Sequence, residues 1–157
     1  MAGLRCLTVG MSITAEDVYA LAPYARTLGV RFTDLSGPEV LAELTFHPSL
    51  STVGGGLHGG ALMGLADVAA AVNAVPGAAP ATTTSATQFL RPVRSDALAR
   101  AVVLHTGRSG VVVQVDVTDT EGQLCVRVTQ TPAEPRRTEP GRAGLAAVPE
   151  RPLPLSG

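Results

Sequence analysis

Residues 54–77 read GGGLHGGALMGLADVAAAVNAVPG, and this stretch decides the architecture. Three glycines lead into His58-Gly59-Gly60, a continuous apolar run of mostly small side chains follows as far as Val75, and Pro76-Gly77 stops it. At about 16 residues, without period-two alternation, the run is too long for a strand and reads as a helix. His58, Asp67 and Asn73 lie within it, and bilayer burial would strand their polar groups, so it is a buried helix and not a membrane span. A helix apolar on every side has to be covered on every side.

The flanks supply the cover. On the N-terminal side, Val18, Leu21, Ala22 and Ala25 recur at helical spacing over Ala15 to Leu28, with Thr14 placed to cap, Pro23 to kink and Gly29 to stop the helix. Val30 to Leu35 and Glu39 to Phe46 alternate as two strands joined through Ser36-Gly37-Pro38. On the C-terminal side four further strands are expected, Thr82 to Leu90, Ala97 to Thr106, Val111 to Asp119 and Gln123 to Thr131. Their turns fall at Gly107 to Gly110 and at Glu121-Gly122. In the third of these strands Val111, Val113, Val115 and Val117 share one face, with Gln114 and Asp116 on the other. Hairpin connections imply an antiparallel sheet. The class is therefore α+β, with the sheet wrapped around a long central helix in the hotdog arrangement. That domain spans residues 14–131, residues 1–13 form an N-terminal extension, and the Pro- and Arg-rich residues 132–157 are expected to be extended or disordered.

Composition removes whole classes of function. A chain of 157 residues with 45% hydrophobic side chains fits one domain. Its formal charge is -1 and all 12 basic residues are arginine, so no broad cationic surface is expected for nucleic acid. Without lysine there is no Walker-type phosphate loop and no Schiff-base chemistry. Cys6 and Cys125 stand far apart without ligand-spaced neighbours, so neither a disulfide framework nor a metal site is indicated, and a reducing cytoplasm fits. The N-terminal apolar run, broken by Arg5, Thr8 and Gly10, is too weak for a secretory signal.

Between Glu43 and Arg91 the one formally charged side chain is Asp67, in the middle of the central helix. A lone carboxylate buried there is costly, which makes it a candidate for chemistry; the bland alternative is a polar crevice in which it caps a neighbouring amide. The backbone N–H groups of Gly59 and Gly60, unobstructed by a Cβ, form a positive helix start suited to a developing oxyanion, although such glycines also serve close packing. Gly59 and Asp67 are eight residues apart, about 12 Å along a helix and roughly 800° around it, so they face different directions. Both can serve one site only if two copies of the helix run antiparallel, which predicts an obligate two-fold homodimer with two equivalent sites.

Gly56-Leu57-His58-Gly59-Gly60 leading to Asp67, then Thr84-Ser85-Ala86-Thr87-Gln88-Phe89-Leu90-Arg91-Pro92, then the Gly107-Arg108 hairpin, together resemble the hotdog thioesterases of the phenylacetate-degradation (PaaI) and thioesterase superfamily member type. The resemblance covers residues 25–131. It implies hydrolysis of acyl-CoA, aryl or medium-chain, with no cofactor beyond the CoA of the substrate. It also implies roles for Gly59 as oxyanion amide, for Asp67 as general base or nucleophile, and for His58 in positioning the thioester or the loop. Ser85 matches a hydroxyl that orients the attacking water or the carboxylate, and Thr52 stands where these proteins often carry Asn. Gly60, Arg91, Arg94 and Arg108 are further candidates for substrate binding, the arginines through bidentate contacts to CoA phosphates. A dimer of dimers is the implied assembly. Two other readings stay open, a hotdog dehydratase or hydratase and a non-catalytic acyl-CoA-binding module.

Overall fold

A computed structural model of the protein describes residues 13–107 and 110–133; Cys6, Arg108 and the segment 134–157 expected to be extended lie outside the described residues. The chain enters through a capping box: Asp17 N–H donates to Thr14 Oγ1 and the Asp17 carboxylate accepts from Thr14 N–H, starting α1 (Ala15–Leu21). The single helix expected to Leu28 is two. Pro23 cannot donate within a helix but fits its first turn, so α1 ends before it and α2 (Pro23–Leu28) begins on it. Gly29, at φ +85°, closes α2 in the left-handed conformation that glycine adopts without penalty.

β1 (Val30–Asp34) and β2 (Glu39–Leu44) form a hairpin, a short 3-10 helix (Pro48–Leu50) follows, and α3 (Gly59–Ala74) is the expected central helix. β3 (Ala81–Phe89), β4 (Ala97–Thr106), β5 (Val111–Thr118) and β6 (Leu124–Ala133) complete an antiparallel six-stranded sheet in the order β1-β2-β4-β5-β6-β3. β6 runs two residues past the boundary expected at Thr131. Sequence neighbours pair except at β3, which crosses to the far edge to bond β6. This is the hotdog fold.

The valines of β5 alternate as expected, Val113, Val115 and Val117 being fully buried with Ala99, Ala101, Val126 and Val128 of the adjacent strands. Against them lie Leu65, Ala66, Ala69 and Ala70 of α3, all at 0% exposure. Burying a leucine such as Leu65 contributes about 1.5–3 kcal/mol, and the alanines let the helix axis settle close to the sheet. On another side of α3 a Cβ at Gly64 would lie 2.7 Å from Tyr24 Oη and 2.9 Å from Leu28 Cδ2, so glycine there is what allows α2 to cross.

Complete cover of the helix, however, is not what forms. Gly60, Met63 and Asp67, spaced three and four residues apart on one stripe, are exposed in the single subunit. The sheet covers one side of α3 and the N-terminal helices another, and the third stripe is open. Edge strand β3 is likewise exposed along nearly its whole length. Among the described residues no helix is long and apolar enough to cross a membrane.

Candidate active site

The start of α3 is held from three sides. Leu57 N–H donates to Val93 O at 2.8 Å and His58 N–H to Leu50 O at 2.7 Å, which ties the glycine loop to the 3-10 helix and to the segment after β3. His58 is the N-cap, and its Nδ1 accepts from Gly60 N–H at 2.9 Å. Because Nδ1 is the acceptor, a neutral His58 ring carries its proton on Nε2. Gly60's amide is thereby already committed. Gly59, at the first helical position, has no intrahelical acceptor for its N–H, and among the described residues that amide meets none. It faces a crevice shared with Phe89, Leu90, Arg91, Pro92 and Val93. A Cβ at Gly59 would come within 3.1 Å of the Phe89 ring, so the ring rides directly over the glycine.

Asp67 lies two turns further on, and it is exposed in the single subunit instead of enclosed. The expectation of burial fails in the single subunit, because the open stripe of α3 carries Asp67, whereas no charged side chain pairs with it among the described residues and two neutral donors hold it. Thr82 Oγ1 donates to Asp67 Oδ1 at 3.0 Å, and Gln130 Nε2 donates to the same oxygen at 2.6 Å. Gln130 also reaches Thr82 Oγ1 at 2.9 Å, closing a three-membered network. The crevice beside Asp67 is otherwise walled by aliphatic side chains, among them Val18, Leu21, Val68 and Val72.

Gln130 was not singled out in the sequence, yet it carried a signal. It interrupts the inward-facing series Val126, Val128, Pro132 of β6, and a polar side chain at a core position needs partners. Thr82 gave no such signal, since threonine is ordinary in an edge strand. Ser85 stands opposite Gln130 in the β3–β6 register, which places the two side chains on the same face of the sheet, toward Asp67.

The remaining candidates are dispersed. Thr52 sits in the turn before α3, donating its N–H to Gly56 O at 2.9 Å and reaching the same oxygen weakly through Oγ1 at 3.4 Å. Arg91 borders the Gly59 crevice and donates through Nη1 to Leu124 O at 2.8 Å. Arg94 opens into a separate cleft with Asp119 and Glu121, whose charges oppose a phosphate. Arg108 lies outside the described residues. Among the described residues no group of His, Cys, Asp or Glu is arranged to hold a metal. The arrangement therefore offers one free helix-start amide and one pinned carboxylate, in different crevices of the same subunit.

Residues 54–126, from the glycine cluster into β6, match the thioesterase superfamily. The structure is similar to conserved protein PA5202 from Pseudomonas aeruginosa (TM-score 0.68, 25% identity, covering 76% of this chain and 98% of that one). It is also similar to a mutant of the phenylacetic acid degradation protein PaaI from Thermus thermophilus (TM-score 0.65, 26% identity, 71% and 97% covered). A third similar structure is thioesterase HI1161 from Haemophilus influenzae (TM-score 0.64, 25% identity, 70% and 80% covered). No curated protein matches the sequence. The chain is a hotdog-fold protein related to the thioesterase superfamily and to PaaI-like proteins.

Proposed function

We propose that this protein is an acyl-CoA thioesterase, hydrolysing aryl or medium-chain acyl-CoA to the free acid and CoA in a homodimer whose sites are each built by two subunits. The observation that carries the reading is the separation of Gly59 from Asp67. Along edge strand β3, Phe89 at one end covers Gly59 while Thr82 at the other end holds Asp67. If two copies pair antiparallel through this exposed strand, the Gly59 end of each meets the Asp67 end of the other, and both open α3 stripes gain cover.

In that site Gly59 N–H of one protomer polarises the thioester carbonyl and stabilises the oxyanion. Asp67 of the partner protomer takes a proton from the attacking water, and the tetrahedral intermediate collapses to the free acid and the CoA thiolate, which takes up that proton. Where Asp67 attacks the carbonyl itself, loss of the thiolate leaves a mixed anhydride that water then hydrolyses to the free acid and restored Asp67. His58, fixed as the N-cap, holds the amide in place, and Ser85 orients the water or the carboxylate. The acyl group lies along the aliphatic wall beside Asp67, and Arg91 at the mouth of the Gly59 crevice contacts a CoA phosphate. Pairing of such dimers into a tetramer and a cytoplasmic setting belong to the same reading, the latter supported by sparse, widely separated cysteines.

The test is thiol release from a panel of aryl and aliphatic acyl-CoA substrates by wild type and Asp67→Asn. Turnover by wild type and loss of at least about 100-fold in the variant are expected, the scale of a catalytic base. Binding without turnover in wild type would instead favour the non-catalytic module, and hydration of an enoyl-CoA the hydratase.

A further inference from the structure

We propose that Gln130 is a positioning residue for hydrolysis, which pins one oxygen of Asp67, together with Thr82, so that Oδ2 is the oxygen presented to water or the thioester. This rests on the reading of Asp67 given above and deepens it. Among the described residues Gln130 is the one polar or charged side chain that is buried, at 1% exposure. Placing a primary amide in a valine-lined core costs about 1–3 kcal/mol unless its polar atoms are bonded, so an apolar side chain would serve folding as well or better.

Its bonds point to one purpose. A carboxylate only accepts, so the amide end turned to Asp67 is the NH2 group. One N–H goes to Asp67 Oδ1 at 2.6 Å and the other to Thr82 Oγ1 at 2.9 Å. Thr82, its lone pair occupied, sends its own proton to the same Asp67 Oδ1 at 3.0 Å. Both donors thus converge on Oδ1, and Oδ2 accepts no hydrogen bond among the described residues. The terminal torsion of an aspartate is soft. Fixing Oδ1 from two directions removes that freedom and sets where Oδ2 points, and misplacement of a reacting group by about 1 Å costs on the order of 100-fold in rate.

The experiment uses the full-length protein and an acyl-CoA that wild type hydrolyses. Gln130→Met, of similar volume and without a donor, is expected to lower kcat by about 10- to 100-fold with KM within about twofold and no loss of melting temperature. Gln130→Glu keeps the shape but has a proton to give only while its new carboxyl is protonated, so its deficit relative to wild type is expected to deepen as pH rises. A role in packing alone would instead lower the melting temperature of Gln130→Met and leave its kcat at the wild-type value below that temperature. Thr82→Val is expected to lower kcat and Thr82→Ser to restore it, and this pair carries the test if Gln130→Met does not fold. Wild-type kcat in Gln130→Met, a pH-independent deficit in Gln130→Glu, or equal rates in Thr82→Val and Thr82→Ser each overturn the inference. Asp67→Asn in the same assay separates the two levels. If it stays active, the catalytic assignment falls and this inference with it; if it is inactive while Gln130→Met is unimpaired, this inference alone falls.

Discussion

Gly59 and Asp67 share one helix, yet they open into different crevices of the subunit, Gly59 beside Phe89 and Arg91, Asp67 beside Leu21 and Val72. The eight positions that separate them correspond to about 12 Å along the helix axis, far beyond the reach of one carbonyl group. Any reaction that uses both must bring a second copy of α3 alongside.

Gly59→Pro isolates the amide. Proline is favoured at the first helical position, and His58, at φ −65° and ψ 139°, already has the extended backbone that precedes a proline. The substitution therefore removes the N–H while keeping the helix start, and a kcat loss of about 100- to 1,000-fold is expected, the scale of one oxyanion donor. Gly59→Ala is the control. It brings a Cβ to the same 3.1 Å contact with Phe89 but keeps the N–H, and because Phe89 is itself exposed its ring can shift. Its loss is expected to stay within about tenfold. Equal losses in the two variants would assign the effect to crowding by Phe89 and not to the amide.

Subunit mixing tests the two-chain site directly. Gly59→Pro and Asp67→Asn homodimers are both expected to be inactive, but in a mixed dimer one of the two sites pairs an intact Gly59 with an intact Asp67. Coexpression with two different affinity tags and purification through both is expected to recover about half of wild-type activity per dimer. Mixed dimers as inactive as either parent would mean that each site is built within one chain.

Much of this was legible beforehand because it depends on local chemistry. The apolar run through Leu65, the alternation of Val111 to Val117 and the punctuation by Gly29 and Gly122 each encode their element within a few residues of chain. What was not legible depends on pairings distant in sequence. Nothing in Thr82 to Leu90 says that this strand leaves its neighbour β4 and crosses to β6, and that crossing is what brings Thr82 and Gln130 together on one oxygen of Asp67. The charge of Asp67 marked it out from sequence, whereas its exposure did not follow. A helix composition apolar all round is equally consistent with cover by its own sheet and with cover by a second molecule.

The capping box at the start of α1 gives a stability prediction with a defined sign. Hydrogen bonds from the Thr14 hydroxyl and then from the Thr14 backbone hold the Asp17 carboxyl below the usual carboxylate range. A group whose pKa is depressed by folding contributes stability above its unfolded value and loses that contribution as pH falls through its folded value. Thr14→Ala is thus expected to lower the melting temperature by a few degrees at about pH 7, and the gap to wild type is expected to narrow as pH drops below 3.8. Asp34 and Glu39 are also held low, by Ser36 and by Arg100, but they are common to both proteins and cancel in the difference. Because Thr14 and Asp17 are solvent-exposed, added salt is expected to shrink the gap near neutral pH as well. Thermal melts of the two proteins from about pH 2.5 to about pH 7, at low and at high salt, check both trends; a gap that is constant across that range would place the contribution of Thr14 in its hydroxyl alone, with no share carried by ionised Asp17.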